Sequence, residues 1–222
     1  MKIAIVIPNV TMTEQAIAER RAFLLANAAP DVELELWRND VGPESIETEA
    51  ERDWAGVEIG RTLEGKDLSK VDAIIPWCAA DPGVHALRQS FAPPVIGPLM
   101  AACQLASLAG ERFTLIMPAG SRRMNRQRIQ GYGFGDRLVS VRQVNKPVLE
   151  LRADLDQTLE RLSVEAHAAY QEGADSVVLG CMALFGLAPR IESPIPVICP
   201  ALAALNVASL MARMGLTNRI AG

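Results

Sequence analysis

Val71-Asp72-Ala73-Ile74-Ile75-Pro76-Trp77-Cys78 and Ala174-Asp175-Ser176-Val177-Val178-Leu179-Gly180-Cys181 are two short apolar runs that each end in a cysteine, 103 residues apart. A run of this length and apolar content reads as a strand buried on both faces. The likeness continues past the cysteines. Pro94-Val95-Ile96-Gly97-Pro98 returns as Pro196-Val197-Ile198-Cys199-Pro200, offset by 102. Leu99-Met100-Ala101-Ala102 then matches Ala201-Leu202-Ala203-Ala204, and Ala106-Ser107-Leu108 matches Ala208-Ser209-Leu210. The chain reads as two copies of one unit, each with a thiol at the C-terminal end of a strand.

Outward from these runs, strand and helix signals alternate. Residues 2–8 form a continuous β-branched run, 14–28 carry helical spacing, 32–37 alternate like an edge strand, and 46–63 are acidic and helical. Residues 71–78 and 94–97 complete the strands of the first copy, and a helix over 99–109 ends at Gly110. The pattern then restarts with a strand at 112–118, a basic helix at 122–130 and an edge strand at 138–144. A helix over 154–172 follows, with Leu155, Leu159, Leu162 and Ala166 on one stripe and Gly173 as its stop. Strands at 177–181 and 196–199 and a helix over 201–214 close the copy. Repeated βαβ units predict an α/β fold of two pseudo-symmetric parallel-sheet domains, with the active site in the cleft between them. The expected division is residues 1–98 plus 201–222, the last helix packing back on the first lobe, and 99–200. Ligands of such sheets bind beyond the carboxyl ends of the strands. Cys78 and Cys181 lie there, as do Pro8-Asn9 and Pro118-Ala119-Gly120-Ser121.

The whole-chain numbers narrow the function classes. The chain has 222 residues, half of them hydrophobic, and a net charge of −4 at pH 7, which argues against a bulk nucleic-acid or anionic-membrane binder. No apolar run nears the roughly 20 residues that span a bilayer, and residues 3–8 are too short for a secretory core. The expected location is the cytoplasm. None of the four cysteines forms a CxxC pair, and with two histidines a zinc site is not expected; in a reducing cytosol neither is a structural disulfide. Cys103 and Cys199 fall in apolar or helical runs and read as small core residues.

Several motifs resemble the aspartate/glutamate/hydantoin racemase superfamily, within it the hydantoin and allantoin racemase branch, over nearly the whole chain. Pro8-Asn9-Val10-Thr11-Met12-Thr13 is similar to that branch's Pro-Asn-Thr element, and Gly42-Pro43-Glu44-Ser45-Ile46-Glu47 to its Gly-Pro-x-Ser-Ile-Glu segment. Cys78-Ala79-Ala80-Asp81-Pro82-Gly83 resembles its Cys-x-x-Asp-Pro-Gly motif, and Leu179-Gly180-Cys181-Met182 its Leu-Gly-Cys motif. The resemblance implies cofactor-independent chemistry between two α/β domains, with Cys78 and Cys181 as the two bases. Ala79-Ala80 stand where amino-acid racemases carry Asn-Thr, side chains that help hold a carboxylate, which weighs against an aspartate or glutamate substrate. Met182-Ala183-Leu184 replaces the usual Ala-Gly-Met, and Met117-Pro118 replaces a Thr-Thr, so the pocket walls differ.

A racemase makes a planar carbanion and reprotonates it from the other side, which calls for two acid/base groups. A free thiol, with a pKa of about 8.5, can serve in both forms. The N–H groups of Ala79, Ala80 and Met182 are candidates for the oxygens of a developing enolate. Asn9 and Thr11 either meet a polar ligand edge or cap the helix that follows, with Thr13 the better cap. Ser45 and Glu47 read as a helix-start pair, Ser45 with a second role at the pocket rim. Asp81 reads as a turn cap into the helix bearing His85, or as an orienting group for Cys78. His85 and His167 read as surface or structural residues. Ser121 opens a helix and could ligate an anion or carbonyl. The cluster Arg122, Arg123, Arg126 and Arg128 reads as a solvated helix face or subunit contact. Gly131-Tyr132-Gly133-Phe134-Gly135 reads as a loop at the cleft mouth, with Tyr132 or Phe134 over substrate. Trp77, Met117 and Met182 offer apolar lining, Trp77 alternatively joining the core. The expected activity is a cofactor-independent racemase or epimerase acting next to a carbonyl on a small-molecule substrate, a 5-substituted hydantoin or ureide. A maleate-type isomerase, an amino-acid racemase and a noncatalytic small-molecule binder are the alternatives, and a homo-oligomer is expected.

Overall fold

The computed structural model describes residues 1–218. It divides into two compact units, Met1–Pro98 together with the chain from Ala204 onward, and Leu99–Ala203.

In the first unit, β1 (Lys2–Ile7) runs parallel between β2 (Glu33–Arg38) and β3 (Ala73–Pro76). Residues 3–7 of β1 have no exposed surface. Such a strand needs apolar side chains on both faces, each aliphatic contributing about 2 kcal/mol by burial. The helices α1 (Glu14–Ala26), α2 (Glu49–Glu64) and α3 (Val84–Ser90) belong to this unit. Ile59 and Leu63 of α2 and Val84 and Leu87 of α3 meet Ala4, Val6 and Ile74 in one cluster. Thr13 caps α1, its hydroxyl accepting the Ala16 N–H at 3.2 Å.

Two expectations shift here. Residues 94–97 do not form a full strand: Val95 alone bridges Ile74, through Ile74 N–H to Pro94 O and Ile96 N–H to Ile74 O, both 2.8 Å. Proline has no N–H to give a ladder, and Pro94 and Pro98 leave three residues between them. Ser45 and Glu47 do not start α2 either. Thr48 is the N-cap and Glu51 completes a capping box, so the helix begins at Glu49. Ser45 Oγ instead donates to Glu47 Oε1 at 3.2 Å.

The second unit holds four parallel strands in the order β5-β4-β6-β7: β4 (Phe113–Met117), β5 (Leu138–Gln143), β6 (Ser176–Leu179) and β7 (Val197–Ile198). The last is short for the same reason, Pro196 and Pro200 standing at its ends. With Val95 counted as a fourth member, both sheets share one order. Around the second sheet run α4 (Pro98–Ala109), α5 (Arg122–Gly131) and α6 (Leu155–Gln171). Leu162 and Ala166 of α6 are buried against Ile116, Val177 and Leu179, with Leu155 and Leu159 packed beside them. Asp154 caps α6 and Gly173, at φ +85°, ends it. The final helix α7 (Pro200–Arg213) leads to Asn218, whose N–H and side chain donate to Ala92 O and Pro93 O.

The glycine-rich loop lies elsewhere than expected. It joins the C-terminus of α5 to the start of β5, and Arg137 there donates to Glu111 O at 3.3 Å, just ahead of β4. That is the N-terminal edge of the parallel sheet, opposite the edge bearing Cys181, so Tyr132 and Phe134 do not cover that thiol. Among the described residues no helix is long and apolar enough to cross a membrane.

Candidate active site

At the C-terminal edge of the first sheet stand Asn9, Thr11, Ser45, Cys78, Ala79 and Ala80. Thr11 Oγ1 donates to Glu44 O at 2.9 Å and Val10 N–H to Pro43 O at 3.2 Å, tying the segment after β1 to the segment after β2. Asn9 is half-buried at their junction. The cap of α1 therefore belongs to Thr13, and Thr11 has a different backbone partner.

Cys78 is half-buried, and the Ala80 N–H points at its sulfur at 3.4 Å. A donor at that position stabilises negative charge on sulfur. Ala80's amide is thus directed at the thiol rather than at an approaching oxygen. The turn that makes this possible is tightly seated. Asp81 takes a left-handed φ of +51° and Gly83 one of +66°. Gly83 lies on Gly56 of α2, where a Cβ on Gly56 would stand 2.7 Å from the Gly83 nitrogen. Asp81 is buried, and a Cβ on Gly97 would stand 2.6 Å from its carboxylate oxygen. Gly83 is the N-cap of α3, and the Asp81 backbone takes part in the turn that leads into it, its N–H donating to Cys78 O at 3.1 Å and its carbonyl accepting from Val84 N–H at 3.5 Å. The Asp81 carboxylate also packs on the bare backbone of Gly97. Trp77 is buried and joins the core. His85 is exposed.

At the C-terminal edge of the second sheet stand Pro118, Ala119, Gly120 and Ser121 after β4, and Cys181 and Met182 after β6. Ala119 N–H donates to Lys146 O at 2.8 Å, and Gly120 O accepts from Gln143 Nε2 at 2.6 Å. The Ser121 hydroxyl accepts the Met124 N–H at 3.3 Å, so it caps α5. Pro118 and Met182 are buried, whereas Gly120 is exposed. Cys181 is half-buried and extended, at φ −150° and ψ 134°. Gly180 sets it there: its N–H donates to Ile116 O at 2.7 Å, and a Cβ would stand 3.0 Å from Met117 Cβ.

Arg152, which carries no motif, donates to Ala183 O at 3.0 Å and Phe185 O at 3.3 Å and stacks on the Phe185 ring at 4.3 Å. It grips the turn that follows Cys181. Asn39, Gln143 and Lys146 are further buried polar residues behind these loops. No local pattern marks them; the one available signal is that Asn39 and Gln143 close the edge strands of the two copies.

Cys103 and Cys199 are buried. Burial pushes the Cys199 thiol up, against the backbone N–H groups of Leu202, Ala201 and Gly186 that surround it. Both act as core residues, as their sequence contexts indicate. In the basic cluster, Arg122 donates to Gln143 Oε1 and Arg128 to Asn125 Oδ1, each at 2.9 Å. His167 is bound at Nδ1 to Ser163 O, 2.9 Å away, and lines an α6 surface groove of about 540 Å³ that holds neither Cys181 nor any of the candidate substrate-binding residues. Among the described residues no group of three or more His, Cys, Asp or Glu is placed to hold a metal ion.

Comparison with known proteins adds the family. Residues 3–208 match the family model described as Asp/Glu/Hydantoin racemase. The chain belongs to this family. A hydantoin racemase of Rhizobium meliloti is 31% identical over 221 residues, 97% of this chain and 90% of the relative. Among solved structures, the allantoin racemase of Pseudomonas fluorescens superposes with a TM-score of 0.92 at 25% identity, covering 99% of this chain and 94% of that one. The allantoin racemase of Klebsiella pneumoniae does so with a TM-score of 0.88 at 27% identity, covering 99% and 90%. The family makes the chain an isomerase of the racemase type, and the cysteine-bearing turns of both copies lie within the matched span.

Proposed function

We propose that this chain racemises a carbon next to a carbonyl in a 5-substituted hydantoin or related ureide, with Cys78 and Cys181 as the two acid/base groups. The observation that carries the reading is the matched placement of the thiols: each follows the third strand of a sheet of the same order, and Cys78 has an amide aimed at its sulfur. One thiolate takes the proton from the substrate carbon and becomes a thiol. The electron pair moves onto the ring carbonyl as an enolate. The other cysteine gives its proton to the opposite face and becomes the thiolate. The next turnover runs in reverse, so no net oxidant, reductant or base is consumed. A hydantoin suits this chemistry because its ring carbonyl accepts the developing charge. With Ala79-Ala80 behind Cys78, that turn supplies no polar side chain for a free amino acid's carboxylate. The names of the hydantoin and allantoin racemases it resembles support the same substrate class.

Enantiopure 5-benzylhydantoin and allantoin incubated in heavy water test this. Loss of optical rotation together with deuterium at the stereocentre is the expected result, and absence of both from these two compounds sinks it, whether or not aspartate or glutamate reacts. The reading includes a homo-oligomer: Trp54 and Val57 stand exposed, three residues apart on α2. Light scattering at a single-chain mass of 24.0 kDa would remove that part.

A further inference from the structure

Each sheet ends its edge strand with a buried carboxamide. Asn39 follows β2 and is 1% exposed; Gln143 is the last residue of β5 and is 9% exposed. Both donate to the backbone of the loop that leaves the neighbouring strand. Asn39 Nδ2 donates to Pro8 O at 3.4 Å, and Gln143 Nε2 to Gly120 O at 2.6 Å. A second partner orients each amide. Thr62 Oγ1 donates to Asn39 Oδ1 at 2.8 Å, and Arg122 Nε donates to Gln143 Oε1 at 2.9 Å. A guanidinium only donates and a carbonyl only accepts, so the Gln143 orientation admits no flip; the Pro8 carbonyl fixes Asn39 in the same way.

We infer that Asn39 and Gln143 are paired positioning residues, which hold the Pro8–Thr11 and Pro118–Ser121 loops at the height where those loops meet substrate. The inference rests on the proposed reaction and deepens it. A buried amide with both ends satisfied fixes a loop more rigidly than a solvated one, because breaking either bond strands a polar group away from water. The loops are otherwise lightly held at the backbone level: Val10 N–H to Pro43 O on one side and Ala119 N–H to Lys146 O on the other. Neither carboxamide belongs to the thiol-bearing turns. They therefore act on the binding of substrate more than on proton transfer.

Single-atom replacements separate this from a purely structural role. Gln143→Glu keeps the Arg122 contact and turns the donor facing Gly120 O into an acceptor, and Asn39→Asp keeps the Thr62 contact and does the same toward Pro8 O. With 5-benzylhydantoin or allantoin, whichever the wild-type chain racemises, each is expected to raise KM about tenfold or more and to leave kcat within about twofold, since one lost buried hydrogen bond sets the lower bound. The rate at which iodoacetamide alkylates Cys78 and Cys181 should stay within about twofold. Backbone amide exchange should rise about tenfold or more, in residues 118–121 for Gln143→Glu and in 8–11 for Asn39→Asp. Where Asn39→Asp does not fold, Thr62→Val, which removes the hydroxyl orienting the amide, takes its place. A lowered Tm with KM and local exchange unchanged overturns the inference. If the wild-type chain racemises neither compound, the proposed reaction fails and exchange alone decides: loss of protection confined to these loops sustains the loop-holding role, and its absence ends it.

Discussion

Cys78 and Cys181 occupy equivalent places in two sheets of one order, yet they are held by different means. Around Cys78 the work falls to backbone. Gly83 presses on Gly56, Asp81 sits on Gly97, the left-handed positions Asp81 and Gly83 flank Pro82, and the Ala80 N–H points back at the sulfur. Around Cys181 a side chain does much of it. Gly180 lets the chain close on β4, and Arg152 then grips the carbonyls of Ala183 and Phe185 from outside the turn. A duplicated unit thus keeps strand order and thiol position while its loop support diverges. Strand order is fixed by the buried apolar pattern shared by both copies; a turn needs only to be held, and packing or a charged clamp can each do it.

The largest expected effect tests whether the two thiols are equivalent at all. Cys78→Ser and Cys181→Ser should each lower racemisation by about 10³-fold or more, with the fold intact by circular dichroism. If either variant keeps near wild-type turnover, the two-base reading is wrong. If one variant still washes deuterium into a single enantiomer of the substrate, the thiols have separable faces and the comparison sharpens.

Stability comes next. Gly56→Ala should cost about 1–3 kcal/mol in urea unfolding, because the new methyl group meets backbone that cannot swing aside. Gly180→Ala should cost less, since its nearest neighbours stand at 3.0–3.2 Å rather than the 2.7 Å met at Gly56. Equal costs would show that both turns depend on close backbone approach to the same degree. Arg152→Ala should cost about 1–2 kcal/mol and slow alkylation or turnover through Cys181, with no change at Cys78. An unchanged Cys181 would remove the clamp from the account.

The smallest effect concerns the helix starts. Backbone N–H groups of Glu47 and Thr48 hold the Glu51 carboxyl below its usual range. A lowered carboxyl pKa contributes stability above the ordinary glutamate value and loses it as pH falls through the lowered one. Glu51→Gln should therefore be less stable than wild type near neutral pH and converge with it in acid, as urea midpoints across that range would show. Asp154 caps α6 without a boxed partner, so a matching reversal at Gln157 is not expected. A constant gap at all pH values would mean that the Glu51 charge contributes nothing.

Much of this molecule was legible in its sequence where the signal is local. The β-branched run of β1, the Thr13 cap, the α6 stripe from Leu155 to Ala166 and the alternation in β5 all specify themselves within a few residues. So did the two thiols, because the duplication set their contexts side by side. Other features are set by contacts beyond the local signal. Ser45 and Glu47 looked like a helix start until Thr48 and Glu51, three apart, formed the better box. The glycine-rich loop looked substrate-facing, but the connection of α5 to β5 put it at the wrong end of the sheet. Asp81 reads as a local turn residue, while its seat on Gly97 lies 16 residues along the chain.

The amino-acid order by itself determined that there are two parallel α/β units and that each ends a strand in a thiol, because hydrophobic periodicity and turn chemistry act over one or two turns of chain. Tertiary structure alone decided which polar groups stand behind those thiols. Asn39, Gln143, Arg152 and the bare backbone of Gly97 reach their partners only after the sheets form, and the low cost of joining distant residues in an already folded core leaves no trace in local spacing.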